Sequence, residues 1–203
     1  MMQFRYPDNP VRASPVTLIQ IERAEPGRYL GQFKWDGWRN IIYKENGKWQ
    51  RHAKYDTGAQ AKADLPPSLI TELEALQFPD GTGFDSEWMG RRSATINADG
   101  GQYIVLLDLH YWNGQWQGDT PYKERLHSML TILELQKAKT RETPTPNIRA
   151  IDSCEIGLLA LFEASKKNPE TEGIVVKAGD SKLIGSQTKT TDNGHWLKIK
   201  WRA

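Results

Sequence analysis

The sequence predicts a mixed α+β fold, with antiparallel strands early in the chain and helices packed on the sheets. Three observations predict it. Short segments rich in aromatic and β-branched residues recur along the chain, and Asp-Gly and Asn-Gly turn signals separate the first of them. Apolar residues at helical spacing, with proline near the first turn, lie between the later segments. The 203 residues are enough for one domain with a substantial core.

The first fifty residues carry the hairpin signals. Residues 1–16 contain three prolines and are expected to form an extended lead-in. Asp36-Gly37 is expected to turn a first strand into a second, and Asn46-Gly47 the second into a third. The three strands are predicted at Tyr29–Trp35, Trp38–Lys44 and Lys48–His52.

The rest of the chain alternates strands with helices. We predict strands at Gly83–Trp88, Tyr103–Leu109, Ile148–Ile151, Gly173–Lys177 and Trp196–Trp201, the second of them apolar enough to be buried on both faces. We predict helices at Leu65–Leu76, Pro121–Gln136 and Glu155–Lys167, with a proline-rich loop at 143–146. Residues 1–203 are expected to form one domain, without a second.

The composition narrows the function. A net charge of +2 does not indicate the strongly basic surface of a dedicated nucleic-acid binder, although a local basic face is compatible with it. Cys154 is the only cysteine, which excludes an intrachain disulfide and a cysteine-rich metal site. No segment has the length of a signal peptide's apolar core or of a membrane span. We therefore expect a soluble, cytoplasmic monomer without a membrane partner.

The segment FKWDGWR places Lys34 at the end of a predicted strand, directly before an Asp-Gly turn. A lysine amine attacks a phosphoryl centre only in its neutral form, so it needs neighbouring cations or a desolvated position. The end of a strand would hold such an amine rigidly for in-line attack. Taken alone, the pattern favours a plain hairpin with a surface lysine, because short motifs recur by chance.

An ordered set of charged residues downstream of this lysine favours phosphate chemistry. Glu87 lies on a predicted strand, and Glu172 precedes another strand that ends at Lys177. Carboxylates are ligands that Mg²⁺ takes alongside substrate phosphates. Lys198 and Lys200 are two apart on the last predicted strand, so both side chains face the same way and can bind phosphate. Each residue alone is more simply an ordinary surface group; the ordered set indicates a site.

The ordered set resembles the covalent nucleotidyltransferase superfamily of ATP-dependent DNA ligases, RNA ligases and mRNA capping guanylyltransferases. KWDG matches its nucleophile motif, lysine-any-Asp-Gly, and FDSEW, EGIVVK and LKIK are similar to its third, fourth and fifth motifs. YIVLLDLHYWNG and PYKERL are similar to segments of DNA ligases in particular. The resemblance covers about Tyr29 to Trp201. It implies two packed, mostly antiparallel β-sheets flanked by helices, an ATP-grasp-like nucleotidyltransferase (adenylation) domain.

The resemblance also implies roles for matching residues. Lys34 would form a phosphoramidate with AMP, and Glu172, together with Glu87, would bind Mg²⁺ or Mn²⁺. Arg39 and Glu87 would contact the ribose. The residues expected to bind ATP are Gln32, Phe33, Arg39, Arg51, Glu87, Leu107, Glu172, Lys177, Lys198 and Lys200.

The phosphate contacts are expected from basic residues. Lys198 and Lys200, with Lys177 nearby, would hold the α-phosphate. Arg51 would contact the nucleotide or the phosphate at a nick, although a surface arginine is an equally good interpretation.

Three features depart from the family pattern. The family often has Glu two residues before the lysine, where its carboxylate accepts a hydrogen bond from the adenine amino group. Here Gln32 can accept the same hydrogen bond, but its amide can also donate one. Leu107 stands where an aromatic residue commonly stacks on the base, so the stack is aliphatic or comes from a neighbour. DNA ligases and capping enzymes usually carry an OB-fold domain after this one, and we expect that domain or an equivalent partner to be missing here.

The function that the resemblance implies is ATP-dependent DNA ligation, with nicked duplex DNA, possibly containing RNA, as the partner. PYKERL is the segment that favours DNA ligase over RNA ligase or guanylyltransferase. A third hypothesis is a nucleotide-binding relative without catalysis, against which the full set of acidic and basic residues argues.

Overall fold

The computed structural model describes residues 4–53, 64–90, 101–140 and 144–201. Within these ranges, ten strands and four helices follow one another along the chain. The strands are β1 (Asn9–Arg12), β2 (Tyr29–Trp35), β3 (Trp38–Glu45), β4 (Lys48–Ala53), β5 (Gly83–Met89), β6 (Tyr103–Trp112), β7 (Gln115–Trp116), β8 (Ile148–Ala150), β9 (Thr171–Ala178) and β10 (Asp192–Lys200). The helices are α1 (Pro15–Ala24), α2 (Pro67–Ala75), α3 (Tyr122–Lys139) and α4 (Leu158–Ser165).

The strands form two sheets. A four-stranded sheet has the order β1-β10-β9-β2, and a six-stranded sheet has the order β4-β3-β5-β6-β7, with β8 paired to β6. Only the β1–β10 and β6–β8 pairs are parallel among the described strands. The predicted α+β class, with two mostly antiparallel sheets, is therefore confirmed.

The first predicted hairpin is wrong in its pairing. Strand β2 pairs with β9, whereas β3 pairs with β4 and β5 in the other sheet. Asp36-Gly37 therefore carries the chain from one sheet to the other. The Asp36 amide donates to the Glu170 carbonyl at 2.9 Å, which holds the crossing against the start of β9. A Cβ on Gly37 would lie 2.6 Å from the Trp88 carbonyl oxygen, so only glycine fits against β5.

The first 24 residues contain a strand and a helix that the sequence did not predict. Strand β1 joins the four-stranded sheet, and α1 follows, where no element was assigned. The many β-branched residues of PVTLIQIERA weaken its helical signal. Ser14 caps α1 by accepting from the Thr17 amide at 3.3 Å. Glu22 of α1 in turn accepts from the Leu158 amide at 2.9 Å, where α4 begins.

Helices flank both sheets. One apolar cluster joins the six-stranded sheet to α2 and α3, and a second joins the four-stranded sheet to α1 and α4. The other predicted elements agree with the structure to within a few residues. Helix α4 differs most in length from its prediction. It begins at Leu158 rather than Glu155, because Gly157, with φ at +76°, precedes its first turn. The predicted loop at 143–146 begins at a residue outside the described ranges. No helix within those ranges is long and apolar enough to cross a bilayer.

A buried ion pair fixes α3 to the six-stranded sheet. Arg125 donates through Nε and NH2 to both carboxylate oxygens of Asp108, each at 2.9 Å, and both side chains are fully buried. Arg125 also donates to the carbonyls of Thr120 and Ser181. Burial opposes ionisation of Asp108, but Arg125 and Lys177 together lower its pKa. Arg125 and Tyr122 both lie in the PYKERL segment, so this segment has a packing role.

We predict that Arg125→Met destabilises the fold by about 3–5 kcal/mol, because it leaves the buried Asp108 carboxylate without its main partner. The free energy of urea unfolding measures the effect. Arg23→Met, at an exposed position of α1, is the matched control and should change stability by less than about 0.5 kcal/mol. A loss below about 1 kcal/mol for Arg125→Met would contradict the role of the pair.

Candidate active site

A cavity of about 500 Å³ lies between the two sheets. All but one of the residues predicted to be catalytic or nucleotide-binding line it. They are Gln32, Phe33, Lys34, Arg39, Glu87, Leu107, Glu172, Lys177, Lys198 and Lys200. The structure therefore brings together side chains that are up to 168 positions apart in the sequence.

The four-stranded sheet supplies one wall of the cavity in cross-strand rows. Lys34 pairs with Gly173 and Gly173 with Lys200, so the two lysines flank a position without a side chain. The next row runs from Gln32 through Val175 to Lys198. Residues paired across a sheet point to the same face, as do residues two apart on one strand. The predicted shared face of Lys198 and Lys200 agrees with this arrangement.

Glu172 bridges the two lysines of the first row. One carboxylate oxygen forms an ion pair with Lys34 Nζ, and the other accepts from Lys200 Nζ at 2.6 Å. Gly173 makes the approach possible: its φ is +147°, and a Cβ there would lie 2.0 Å from the Ile199 carbonyl oxygen. Burial opposes ionisation of Glu172, but Lys34 and Lys200 together lower its pKa. Glu172 is therefore a carboxylate with two ammonium partners.

The six-stranded sheet supplies the opposite wall. Arg39 makes two hydrogen bonds to the buried Asp85 carboxylate, at 3.0 and 2.6 Å. Glu87, its register partner across β3 and β5, accepts from the Gly37 amide at 3.1 Å. Burial raises the pKa of Glu87 to about 7, although Lys34 and Arg39 act in the opposite direction. Glu87 therefore changes charge near neutral pH.

Lys177 is buried at the floor of the cavity between two aromatic rings. Its Nζ lies 4.4 Å from the centre of the Tyr122 ring and 4.1 Å from that of Trp196. The Asp108 carboxylate is 3.9 Å away. Burial lowers the pKa of Lys177 to about 8, against the attraction of Asp108. The Tyr122 hydroxyl also accepts from the side-chain amide of Gln32.

Three predicted residues are placed differently from the others. Leu107 reaches the cavity because it is the extra residue of a β-bulge, unpaired while its neighbours Leu106 and Asp108 pair with β5. Phe33 borders the cavity, but its side chain packs into the apolar cluster behind the four-stranded sheet. Arg51 is not a lining residue: its guanidinium donates to Asn40 Oδ1 at 2.7 Å and lies over the Trp88 ring. The predicted contact of Arg51 with the nucleotide therefore has no support from its position.

Part of the cavity lining was not predicted from the sequence. Asp85 could have been found from the FDSEW segment, because it lies two residues before Glu87 and so on the same face. The same alternation applies to Trp196, two residues before Lys198. The other lining residues that were not predicted are Trp35, Val175 and three residues of β1: Asn9, Pro10 and Arg12. No sequence signal connects β1 to the site, because its pairing with β10 spans most of the chain.

We predict that Glu87→Gln removes a pH dependence of stability. The folded-state pKa near 7 lies above the ordinary value of 4.5, so the folded protein holds this proton more tightly than the unfolded chain does. The stabilisation is fully present below pH 4.5 and is lost as the pH rises through 7. Relative to the unsubstituted protein, Glu87→Gln should gain on the order of 3 kcal/mol across this window. Urea unfolding at several pH values measures it.

The control for this pH series is Glu134→Gln, at an exposed position of α3. That variant should follow the unsubstituted protein at every pH. A Glu87→Gln curve parallel to that of the unsubstituted protein would refute the burial of an ionisable carboxyl at this position.

Comparison with known proteins finds similarity of structure. No protein-family model and no curated protein matches the sequence. A mycobacterial DNA ligase D complexed with ATP and MES has a TM-score of 0.68 at 17% identity, over 97% of this chain and 60% of that one. The ATP-dependent DNA ligase of bacteriophage T7 in complex with ATP has a TM-score of 0.62 at 16% identity, over 96% and 68%. Chlorella virus DNA ligase-adenylate has a TM-score of 0.55 at 15% identity, over 98% and 69%.

The matches extend over most of this chain but over only part of each ligase. Nearly the whole of this chain is matched, and it spans 60% of the length of the mycobacterial ligase. Both sheets and the cavity between them belong to the matched part. The chain therefore has the fold of the nucleotidyltransferase domain of ATP-dependent DNA ligases.

Proposed function

We propose that this chain is the catalytic core of an ATP-dependent polynucleotide ligase, in which Lys34 becomes covalently linked to AMP. The observation that carries the proposal is the position of Lys34 in the cavity. It shares one sheet face with Lys177, Lys198 and Lys200, and it contacts the carboxylate of Glu172. A volume of about 500 Å³ lies within the usual range of small-molecule sites. The structures of similar fold include two ATP complexes and one ligase-adenylate.

The first reaction would be attack of Lys34 Nζ on the α-phosphate of ATP. A nitrogen–phosphorus bond forms, the bond from the α-phosphorus to the bridging oxygen breaks, and pyrophosphate leaves with the electron pair. The amine loses its protons to water or to a neighbouring carboxylate. Because Lys34 forms an ion pair with Glu172, this contact has to loosen before attack. The rigid β2 strand holds the amine for in-line approach.

Basic side chains around the cavity would stabilise the phosphoryl group. Lys198 and Lys200 project from adjacent rows of the same wall. Lys177 lies deeper, and with a pKa near 8 it is mostly cationic at neutral pH. Preorganised charges of this kind stabilise negative charge as it develops on the phosphate oxygens.

The acidic residues of the cavity would hold a divalent cation. Within the described ranges, no three His, Cys, Asp or Glu side chains gather into a metal site. Glu87 and Glu172 instead offer one carboxylate from each wall. Such a pair suits Mg²⁺ or Mn²⁺, which take one or two carboxylates together with substrate phosphates. When bound, the ion would neutralise phosphate charge and polarise the reacting phosphoryl group.

The orientation of Gln32 favours adenine. Its amide nitrogen donates one of its two hydrogens to the Tyr122 hydroxyl, which directs the NH2 group towards Tyr122 and leaves the amide oxygen to accept from a base. The adenine amino group is a donor, whereas guanine presents a carbonyl oxygen at the corresponding position. This arrangement supports ATP over GTP, and ligation over capping-type guanylyl transfer.

The two later steps would use nicked duplex DNA. A 5′-phosphate oxygen attacks the phosphorus of the lysyl adduct, the nitrogen–phosphorus bond breaks, and Lys34 recovers its proton. The 3′-hydroxyl then attacks the activated 5′-phosphate and gives its proton to water; a phosphodiester bond forms, the anhydride bond to AMP breaks, and AMP leaves with the electron pair. The similarity to three DNA ligases supports DNA over RNA as the polynucleotide.

We predict that the protein incubated with α-labelled ATP and Mg²⁺ acquires a covalent label and that Lys34→Ala abolishes it. Denaturing electrophoresis measures the label, and mass spectrometry locates the adduct. Lys167→Ala, at an exposed position after α4, is the matched control and should label normally. Label that survives Lys34→Ala would refute the assignment of the nucleophile, and label from GTP alone would refute ATP as the substrate.

We predict that Tyr122→Phe reduces the preference for ATP over GTP in the labelling reaction by roughly tenfold. The phenyl ring keeps the packing around Lys177, but without the hydroxyl the Gln32 amide can turn and donate to guanine. The ratio of labelling efficiencies with the two nucleotides measures the effect. Tyr29→Phe, at the start of β2 and away from the cavity lining, is the control. An unchanged ratio would mean that Tyr122 does not orient Gln32.

A further inference from the structure

Arg12 lies at the edge of the four-stranded sheet and lines the cavity. Strand β1 runs parallel to β10, and Arg12 is the register partner of Lys198. Its side chain is exposed, unlike the buried Lys177. Within the described ranges, no hydrogen bond or ion pair engages its guanidinium. Arg12 is therefore a cation of the cavity wall that is available to a ligand.

The backbone that carries Arg12 is fixed at both ends. Before β1, the buried Asp8 carboxylate accepts from the amides of Ile184 and Gly185, at 2.8 and 3.0 Å, and from Asn193 Nδ2 at 2.9 Å. After β1, the Ala13 amide donates to the Lys198 carbonyl at 3.0 Å. The backbone of Arg12 is therefore positioned before any ligand arrives, so that a contact requires only its side chain to be ordered.

Three other cations of this wall lie beside acidic side chains. Lys34 and Lys200 both contact Glu172, and Lys177 lies beside Asp108. A nucleoside triphosphate brings up to four negative charges, and its two outer phosphates need cations of their own. Arginine binds phosphate through two parallel hydrogen bonds, which suits this role.

The order of the strands gives the direction in which those phosphates extend. Lys34 is on β2 at one edge, and β9 and β10 separate it from β1 at the other edge. With strands about 4.8 Å apart, β1 lies roughly 14 Å across the sheet from β2. In an in-line displacement the leaving group departs on the side opposite the nucleophile. A leaving group that moves away from Lys34 across this wall passes Lys200 and reaches Arg12.

We propose that Arg12 binds the pyrophosphate end of ATP and holds it as the leaving group; the proposal rests on the function proposed above. In the forward direction, Arg12 contacts the β- and γ-phosphates while the α-phosphorus is transferred to Lys34. In reverse, it positions pyrophosphate to attack the α-phosphorus of the adduct, so that the nitrogen–phosphorus bond breaks, ATP forms and Lys34 regains its protons. Transfer of AMP from the adduct to a 5′-phosphate does not involve this contact.

The variant Arg12→Ala tests whether Arg12 acts on ATP and pyrophosphate but not on the transfer of AMP to DNA. Labelled adduct is isolated and then treated either with pyrophosphate or with nicked duplex DNA. We expect the pyrophosphate concentration for half-maximal release of ATP to rise roughly fivefold to tenfold, and the ATP requirement of labelling to rise similarly. The rate of AMP transfer to DNA should stay within about twofold. Arg12→Lys should recover part of the loss, because it keeps the charge but not the paired geometry.

Arg23→Ala removes an exposed arginine outside the cavity and should match the unsubstituted protein in all assays. Thermal unfolding should be the same for each variant, because Arg12 makes no side-chain contact that the fold needs. A slower AMP transfer with an unchanged response to pyrophosphate would overturn the proposal and place Arg12 on the DNA. A normal response of Arg12→Ala in every assay would overturn it while leaving the lysyl-AMP chemistry intact. Absence of label on the unsubstituted protein would overturn both.

Discussion

The contact between Gly37 and β5 is the constraint on which the rest of the structure depends. A side chain at this position would collide with the Trp88 carbonyl, so the chain can cross between the sheets only with glycine there. The same crossing presents the Gly37 amide to Glu87 and ends β2 at the position where Lys34 faces the cavity. The close approach of Gly37 to β5 thus determines both how the two sheets pack and where the Lys34 amine lies. The Asp-Gly pair joins sheets here, and a tight hairpin would have placed the lysine on an outer surface.

Around the cavity, two fixed ion pairs balance buried charge. Asp85 with Arg39 and Asp108 with Arg125 are aligned carboxylate–guanidinium pairs in which the carboxylates are fully buried. Each carboxylate accepts two hydrogen bonds from its arginine, and such pairing is the condition under which buried charges are tolerated. Lys177 shares the Asp108 carboxylate with Arg125, so the same buried carboxylate supports both the fold and a cation of the cavity.

The sequence was sufficient for most of the local elements and for most of the cavity lining. Alternation along strands predicted that Lys198 and Lys200 share a face, because that depends on local geometry alone. Pairing across the chain could not be predicted in the same way. The predicted β2–β3 hairpin was wrong, because the turn signal does not specify which sheet each strand joins. Helix α1 was missed because Ser14 and contacts with α4 stabilise a segment of weak intrinsic propensity. Arg12 was missed because only the pairing of β1 with β10 brings it to the site.

Glu172 gives the cavity a property beyond the positioning of its neighbours. Its carboxylate holds the place between Lys34 and Lys200 that an anionic ligand would otherwise take, and so acts as a built-in counter-ion. On entry of a phosphate, its oxygens would then replace the Glu172 carboxylate as the neighbours of these lysines. Such an exchange releases few salt ions from the surroundings. Nucleotide affinity at this wall should therefore depend on ionic strength less steeply than the number of lysines suggests.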